Sequence, residues 1–151
     1  MQRGLAIGRE RGFASHLPIF EAALAEAEAS AGEIDAGLRR LDDALAQLEA
    51  TECRSYEAEI HRLRAAILLQ RDPANAAAAE QSLQAAIAIA QSQKARSFEL
   101  RAALALAKLY RAANRHSDAH ALLAPAVDGF RPTRQFPELA EAQALLSGLS
   151  R

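Results

Sequence analysis

Few residue groups in this chain have the types and spacing that chemistry needs. His116 and His120 stand one helical turn apart, a spacing that can place two imidazoles on one metal ion. No third ligand lies near them in sequence. A helix starting at Ser117 would also split the pair, with Ser117 as its N-cap and Asp118 in its first turn. Glu57, Glu59 and His61 can be drawn as an acid–base group. On a helix, however, Glu57 and Glu59 point to different faces, and Glu57 with His61 makes an i,i+4 surface pair. Cys53 precedes a helix, where a thiol can lose its proton more easily. As the sole cysteine it has no internal disulfide partner, which fits a cytoplasmic setting. These sets read as caps, surface pairs and a loop thiol. The chain is therefore expected to be no enzyme and to need no metal and no cofactor.

Whatever these side chains do, helices must position them. Alanine supplies 38 of the 151 residues, half the chain is hydrophobic, and only 5% is aromatic. Val and Thr are scarce, so no strand is indicated. Ile34, Leu38, Leu41, Leu45 and Leu48 alternate spacings of four and three, one stripe of an amphipathic helix. Glu33 and Asp35 suit its first turn after Gly32, and Asp72-Pro73, Asn114-Arg115 and the run from Asp128-Gly129 to Pro137 break the pattern. The breaks predict about eight helices, over 3–12, 16–31, 34–50, 55–70, 74–93, 97–113, 117–128 and 136–149. Short loops between them make neighbours antiparallel. The start of the chain, with Leu5, Ala6 and Ile7, looks like the end of a helix, so a fragment of a longer protein is expected. A formal net charge of −1 argues against a nucleic-acid binder, and no long uncharged apolar run exists to span a membrane.

The helices repeat. Arg54-Ser55-Tyr56-Glu57 returns as Arg96-Ser97-Phe98-Glu99 at an offset of 42, which also aligns Leu41 with Leu83 and Ala44 with Ala86. An offset of 82 aligns Ala25 with Ala107, Gly32 with Asn114, Leu41 with Leu123 and Ala44 with Ala126. Phe98-Glu99-Leu100 is echoed by Pro137-Glu138-Leu139. The third copy is the fullest: Leu106-Ala107, Tyr110, Asn114, Ala119, Leu123 and Ala126 have the spacing of the tetratricopeptide repeat. Small residues at 107 and 119 let paired helices approach, Tyr110 and Leu123 fill the space beside them, and Asn114 suits a left-handed turn.

The fold expected is thus an all-α, right-handed α-solenoid of antiparallel helix pairs, a single domain over 1–151. Its repeats would be 16–50, 54–93 and 97–129, with a partial helix at 3–12 and a capping helix at 136–149. Several strings extend the resemblance: Glu57 to Arg64, Ala85 to Ala90, Ser97 to Ala103, Ala107 to Tyr110 and Asp118 to Pro125. They resemble the C-terminal tetratricopeptide region of bacterial predicted ATPases, which are joined to adenylate/guanylate-cyclase-like or transcriptional-regulator domains. The resemblance implies the sensor or scaffold arm of a signalling ATPase. The chain holds no G-x-x-x-x-G-K-[ST] loop, so nucleotide chemistry is not carried over.

In such a solenoid the first helix of each pair lines a concave groove. Its expected lining is Ile19, Ala22, Glu26 and Ala29, then Glu59, Arg62, Ala66 and Leu69, then Arg101, Leu104, Lys108 and Arg111. Arg62, Arg101, Lys108 and Arg111 would then hold carboxylates of a protein or peptide partner, against the plainer reading of a solvated face with pairs such as Glu59–Arg62. The function expected is a non-enzymatic scaffold for protein–protein interaction. The alternative is a small-molecule-sensing regulatory domain of a signal-transduction ATPase or transcription regulator. A homodimer through the N-terminal helices, 3–31, is a further expectation, because an uncapped array end invites association.

Overall fold

The computed structural model describes residues 17–51, 54–74, 76–130 and 136–149. Among them lie seven helices and no strand: α1 Leu17–Ser30, α2 Ile34–Thr51, α3 Glu57–Arg71, α4 Ala77–Ser92, α5 Arg96–Ala112, α6 His116–Val127 and α7 Pro137–Leu149. The helix expected at 3–12, and Cys53, lie outside the described residues. Each helix packs on the next in sequence. In addition α1 touches α3, α3 touches α5 and α5 touches α7, whereas no comparable contact joins α2 to α4 or α4 to α6. The odd-numbered helices therefore form a continuous layer, with the even-numbered ones behind it.

Six of the seven starts differ from the sequence expectation, by two residues at α3 (Glu57 rather than 55) and three at α4, and by one elsewhere. α4 begins at Ala77 rather than 74, because Asp72 is extended at the end of α3 and its Oδ1 accepts the Ala74 N–H at 3.1 Å. That local bond, with Pro73 inside it, holds the chain in a turn instead of a first helical turn. α6 begins at His116, so Ser117 lies inside the helix, and Arg115 stands at the cap position without a side-chain cap bond.

Three interhelical turns share one closure. At each, a residue with positive φ lets the following N–H reach back to a carbonyl five residues earlier. Gly32 (φ +92°) allows Glu33 N–H to Glu28 O at 2.9 Å. Lys94 (φ +55°) and Asn114 (φ +59°) allow Ala95 to Ala90 and Arg115 to Tyr110, both at 2.8 Å. Asn114 and Gly32 fit the sequence reading; Lys94 carries a left-handed backbone with no short polar side chain to ease it.

The repeat positions are also the core positions. Ala25, Ala65 and Ala107 are all buried, as are Leu41, Leu83 and Leu123, and Ala44, Ala86 and Ala126. Each such leucine, sealed from water, contributes roughly 1.5–3 kcal/mol of transfer free energy. Gly37 occupies in the first pair the place that Ala79 and Ala119 hold later. A Cβ built on Gly37 would stand 2.7 Å from the Ala25 carbonyl oxygen, so α1 and α2 cross more closely than a methyl allows.

The repeated Arg-Ser-aromatic-Glu string has a structural reason. Glu57 and Glu99 are buried, and each is met by the arginine three residues before it, Arg54 at 3.0 Å and Arg96 at 2.9 Å. The intervening Tyr56 and Phe98 rings meet at 6.3 Å between centroids. The string thus neutralises a buried carboxylate and sets the spacing between successive pairs.

Candidate functional site

A groove of about 710 Å³ runs across the odd-helix layer. α3 supplies Glu59, Arg62, Ala65, Ala66 and Leu69; α5 supplies Arg101, Leu104, Ala105, Lys108 and Leu109; α7 supplies Glu138 and Glu141. Leu83 of α4 closes the floor from behind. Five of the six site residues read from the sequence, Glu59, Arg62, Arg101, Leu104 and Lys108, line this one groove. Arg111 lies one turn beyond, in a depression of about 200 Å³ that shares Lys108 and Glu141 with it, and pairs with no carboxylate among the described residues.

The expected first-pair lining is placed differently. Ala22 and Ala29 are buried in the core, and Gln70 of α3 donates its amide to the Ala29 carbonyl at 3.0 Å, so α3 lies directly against that side of α1. Neither Ile19 nor Glu26 is among the groove residues.

The charges are not arranged as the sequence suggested. The lining holds three cations and three carboxylates, and each cation has a partner. Arg62 makes a two-pronged bond to Glu59, Nη2 to Oε1 at 2.8 Å and Nε to Oε2 at 3.0 Å. Burial works against the Arg62 charge, but the hydrogen bond and field of Glu59, with Glu26 and Glu138 beyond, outweigh it and raise the pKa. Arg101 Nε donates to Glu138 Oε1 at 2.9 Å, while its Nη1 stands 3.8 Å from Glu59. Lys108 Nζ meets Glu141 at 2.6 Å, with both side chains about half exposed. The basic face of α5 is therefore offset by the acidic face of α7.

Glu138 and Glu141 belong to the helix that the sequence marks as a cap. The echo of Phe98-Glu99-Leu100 in Pro137-Glu138-Leu139 was a signal that more was involved. Glu99 takes its arginine from three residues before, whereas that position before Glu138 is Gln135. Glu138 draws its cation from α5 instead. Its Oε2 is buried without a hydrogen-bond partner, so the carboxylate is held from one side only.

Beside this pair is an aromatic stack that the low aromatic content concealed. Phe130 and Phe136 lie nearly parallel, 5.7 Å apart, with Arg96 over Phe130 and Arg101 over Phe136 at 5.4 and 5.7 Å. Arg96 also donates to the Asp128 carbonyl at 2.5 Å, capping the end of α6. These contacts fasten α7 to α5 and fix where its carboxylates fall.

The other candidate groups are dispersed. His116 and His120 are exposed on α6, and no three His, Cys, Asp or Glu residues gather into a metal-binding group among the described residues. Glu57 and Glu59 turn to different arginines, Arg54 and Arg62. His61, half buried, senses Glu57, Arg64 and Asp42 and belongs to the α2–α3 packing.

No family model matches the chain, and no curated protein matches it. No helix among the described residues is long and apolar enough to cross a membrane.

Proposed function

We propose that this chain is a non-enzymatic scaffold for protein–protein interaction, built as a right-handed α-solenoid of tetratricopeptide type, which holds a segment of a partner in the groove of α3, α5 and α7. The observation that carries this reading is the groove itself. Three successive odd-numbered helices contribute to it, its floor is leucine and alanine, and charged residues stand along its rims. A repeat array produces such a surface because each pair contacts only its neighbours and leaves one layer uncovered. The odd-to-odd contacts and the matched burial of repeat positions support the solenoid reading. The three pairs, 16–50, 54–93 and 97–129, with the helix at 136–149 as a cap, then act as one domain. Arg111 marks the end of the groove rather than its wall. Phe20 of α1, 50% exposed, favours association through the N-terminal helices as a separate contact.

A second reading, a sensor of small molecules, draws on the groove volume, which falls within the roughly 300–1,000 Å³ of ligand pockets. Thermal shifts across a metabolite panel separate the two.

The scaffold reading is tested by panning a phage-displayed peptide library on the full chain and on Ala66→Arg. Ala66 is exposed in the groove and outside the core, so Ala66→Arg fills the site without unfolding the protein. Peptides that bind the wild type and not Ala66→Arg support the reading. Absence of any enriched peptide, or binding indifferent to the substitution, rejects it.

A further inference from the structure

The sequence pointed to a cationic groove that would clasp carboxylates. The ion pairs lead elsewhere. An acidic side chain entering the groove meets Arg62, Arg101 and Lys108 with their charges already offset by Glu59, Glu138 and Glu141, and faces those three carboxylates as it approaches. A basic side chain meets the mirror problem, since the one unpartnered oxygen, Glu138 Oε2, is buried out of its reach. Neither sign gains much where each charge is already offset by a neighbour and partly screened by water, so charge favours neither. What the groove offers without competition is the apolar surface of Ala66, Leu69, Ala105 and Leu109, over the buried Ala65 and Leu104.

Those alanines matter to shape. Helices pack at about 8–10 Å between axes when the ridges of one enter the grooves of the other, and small residues lower the ridges. Ala66 shares a face of α3 with Leu69 three residues on, and Ala105 a face of α5 with Leu109 four residues on, so each helix brings a low side chain beside a tall one to the groove.

We propose that the groove selects an amphipathic helix presenting an uncharged face of bulky apolar side chains, with its charges turned outward, and not an acidic tail. This deepens the scaffold reading and rests on it. Bulky side chains at i, i+3 or i+4, and i+7 drop beside Ala66 and Ala105, while the paired rim charges stay in place and remain hydrated. Because no ion pair is exchanged, binding is nearly independent of salt.

The same library panning decides between charge classes. Its leading peptide is then synthesised and titrated by fluorescence anisotropy against the full chain at low and at high sodium chloride. Expected are leucine, isoleucine, phenylalanine or tryptophan at helical spacing, an affinity that changes less than about twofold with salt, and a loss of at least about tenfold in Ala66→Arg and Ala105→Arg. A consensus rich in Asp or Glu, weakened by salt and lost in Lys108→Gln, overturns this inference and leaves the scaffold standing. Peptides that ignore Ala66→Arg and Ala105→Arg reject the groove as the site and the inference with it.

Discussion

Arg101 and Glu138 meet at 2.9 Å across the contact between α5 and α7, with the Arg101 guanidinium over the Phe136 ring. They are 37 residues apart in the chain. The pair joins the helix that carries two of the groove's three cations to the helix that neutralises those two, and its partial exposure limits its strength. Arg101 is 35% and Glu138 27% exposed, so water screens the attraction. A double-mutant cycle with Arg101→Ala and Glu138→Ala, read by urea unfolding, is expected to give a coupling of about 0.5–1 kcal/mol. A coupling above about 2 kcal/mol would mean a desolvated pair and a stiffer groove wall.

Gly37 sets the closest approach of α1 and α2. In an exposed helix, glycine to alanine is expected to stabilise by up to about 1 kcal/mol. At Gly37 the new methyl meets backbone at Ala25, which cannot rotate away. Gly37→Ala should therefore destabilise by about 1–3 kcal/mol. The sign of the shift in the urea midpoint is the test, and a rise would place the α1–α2 crossing farther apart.

Lys94 has a positive φ of 55° between α4 and α5. A left-handed backbone costs a side-chain-bearing residue roughly 1 kcal/mol relative to glycine. Lys94→Gly should raise the thermal midpoint despite glycine's greater freedom in the unfolded chain. Asn114→Ala, at the equivalent turn, should lower it, because asparagine tolerates this conformation better than alanine does. Equal effects of opposite expectation, or none, would remove the shared turn geometry as a determinant of stability.

Acid should weaken the fold in two stages. Burial lowers the pKa of His61 from 6.5, an effect its carboxylate neighbours Glu57 and Asp42 only partly offset. The unfolded chain then takes up the proton first. Stability is full above the unfolded value and falls as the pH drops through it toward the folded one. Glu28 adds a second loss at lower pH. The Arg40 hydrogen bond holds its pKa below 4.5, so its contribution is present above that value and disappears as the pH falls through the folded one. Urea midpoints measured from about pH 7.5 downward should show the first decline in the wild type and not in His61→Gln. A parallel profile in the variant would assign the decline to other groups.

Much of the helical framework was legible because it is local. Helix 34–50 was expected and Ile34–Thr51 is found; 136–149 was expected and Pro137–Leu149 is found. Apolar spacing and breakers act within a few turns, so a linear reading captures them. The small residues at repeat positions were legible for the same reason: equivalent positions in successive pairs share an environment. The misses were also local in origin. The bond from Asp72 to Ala74 delayed α4, and the left-handed Lys94 has no residue-type signature.

Sequence alone determined the all-helical character, most helix limits, the repeat registers, and which face of α3 and α5 carries Glu59, Arg62, Arg101, Leu104 and Lys108. Only the tertiary structure decided what those charges do. α7 lies against α5, Glu138 and Glu141 arrive opposite Arg101 and Lys108, and a face that reads as basic becomes balanced. Periodicity states which way a side chain points from its own helix. The charge it meets depends on how distant helices stack and on a Coulomb interaction that acts through space and not along the chain.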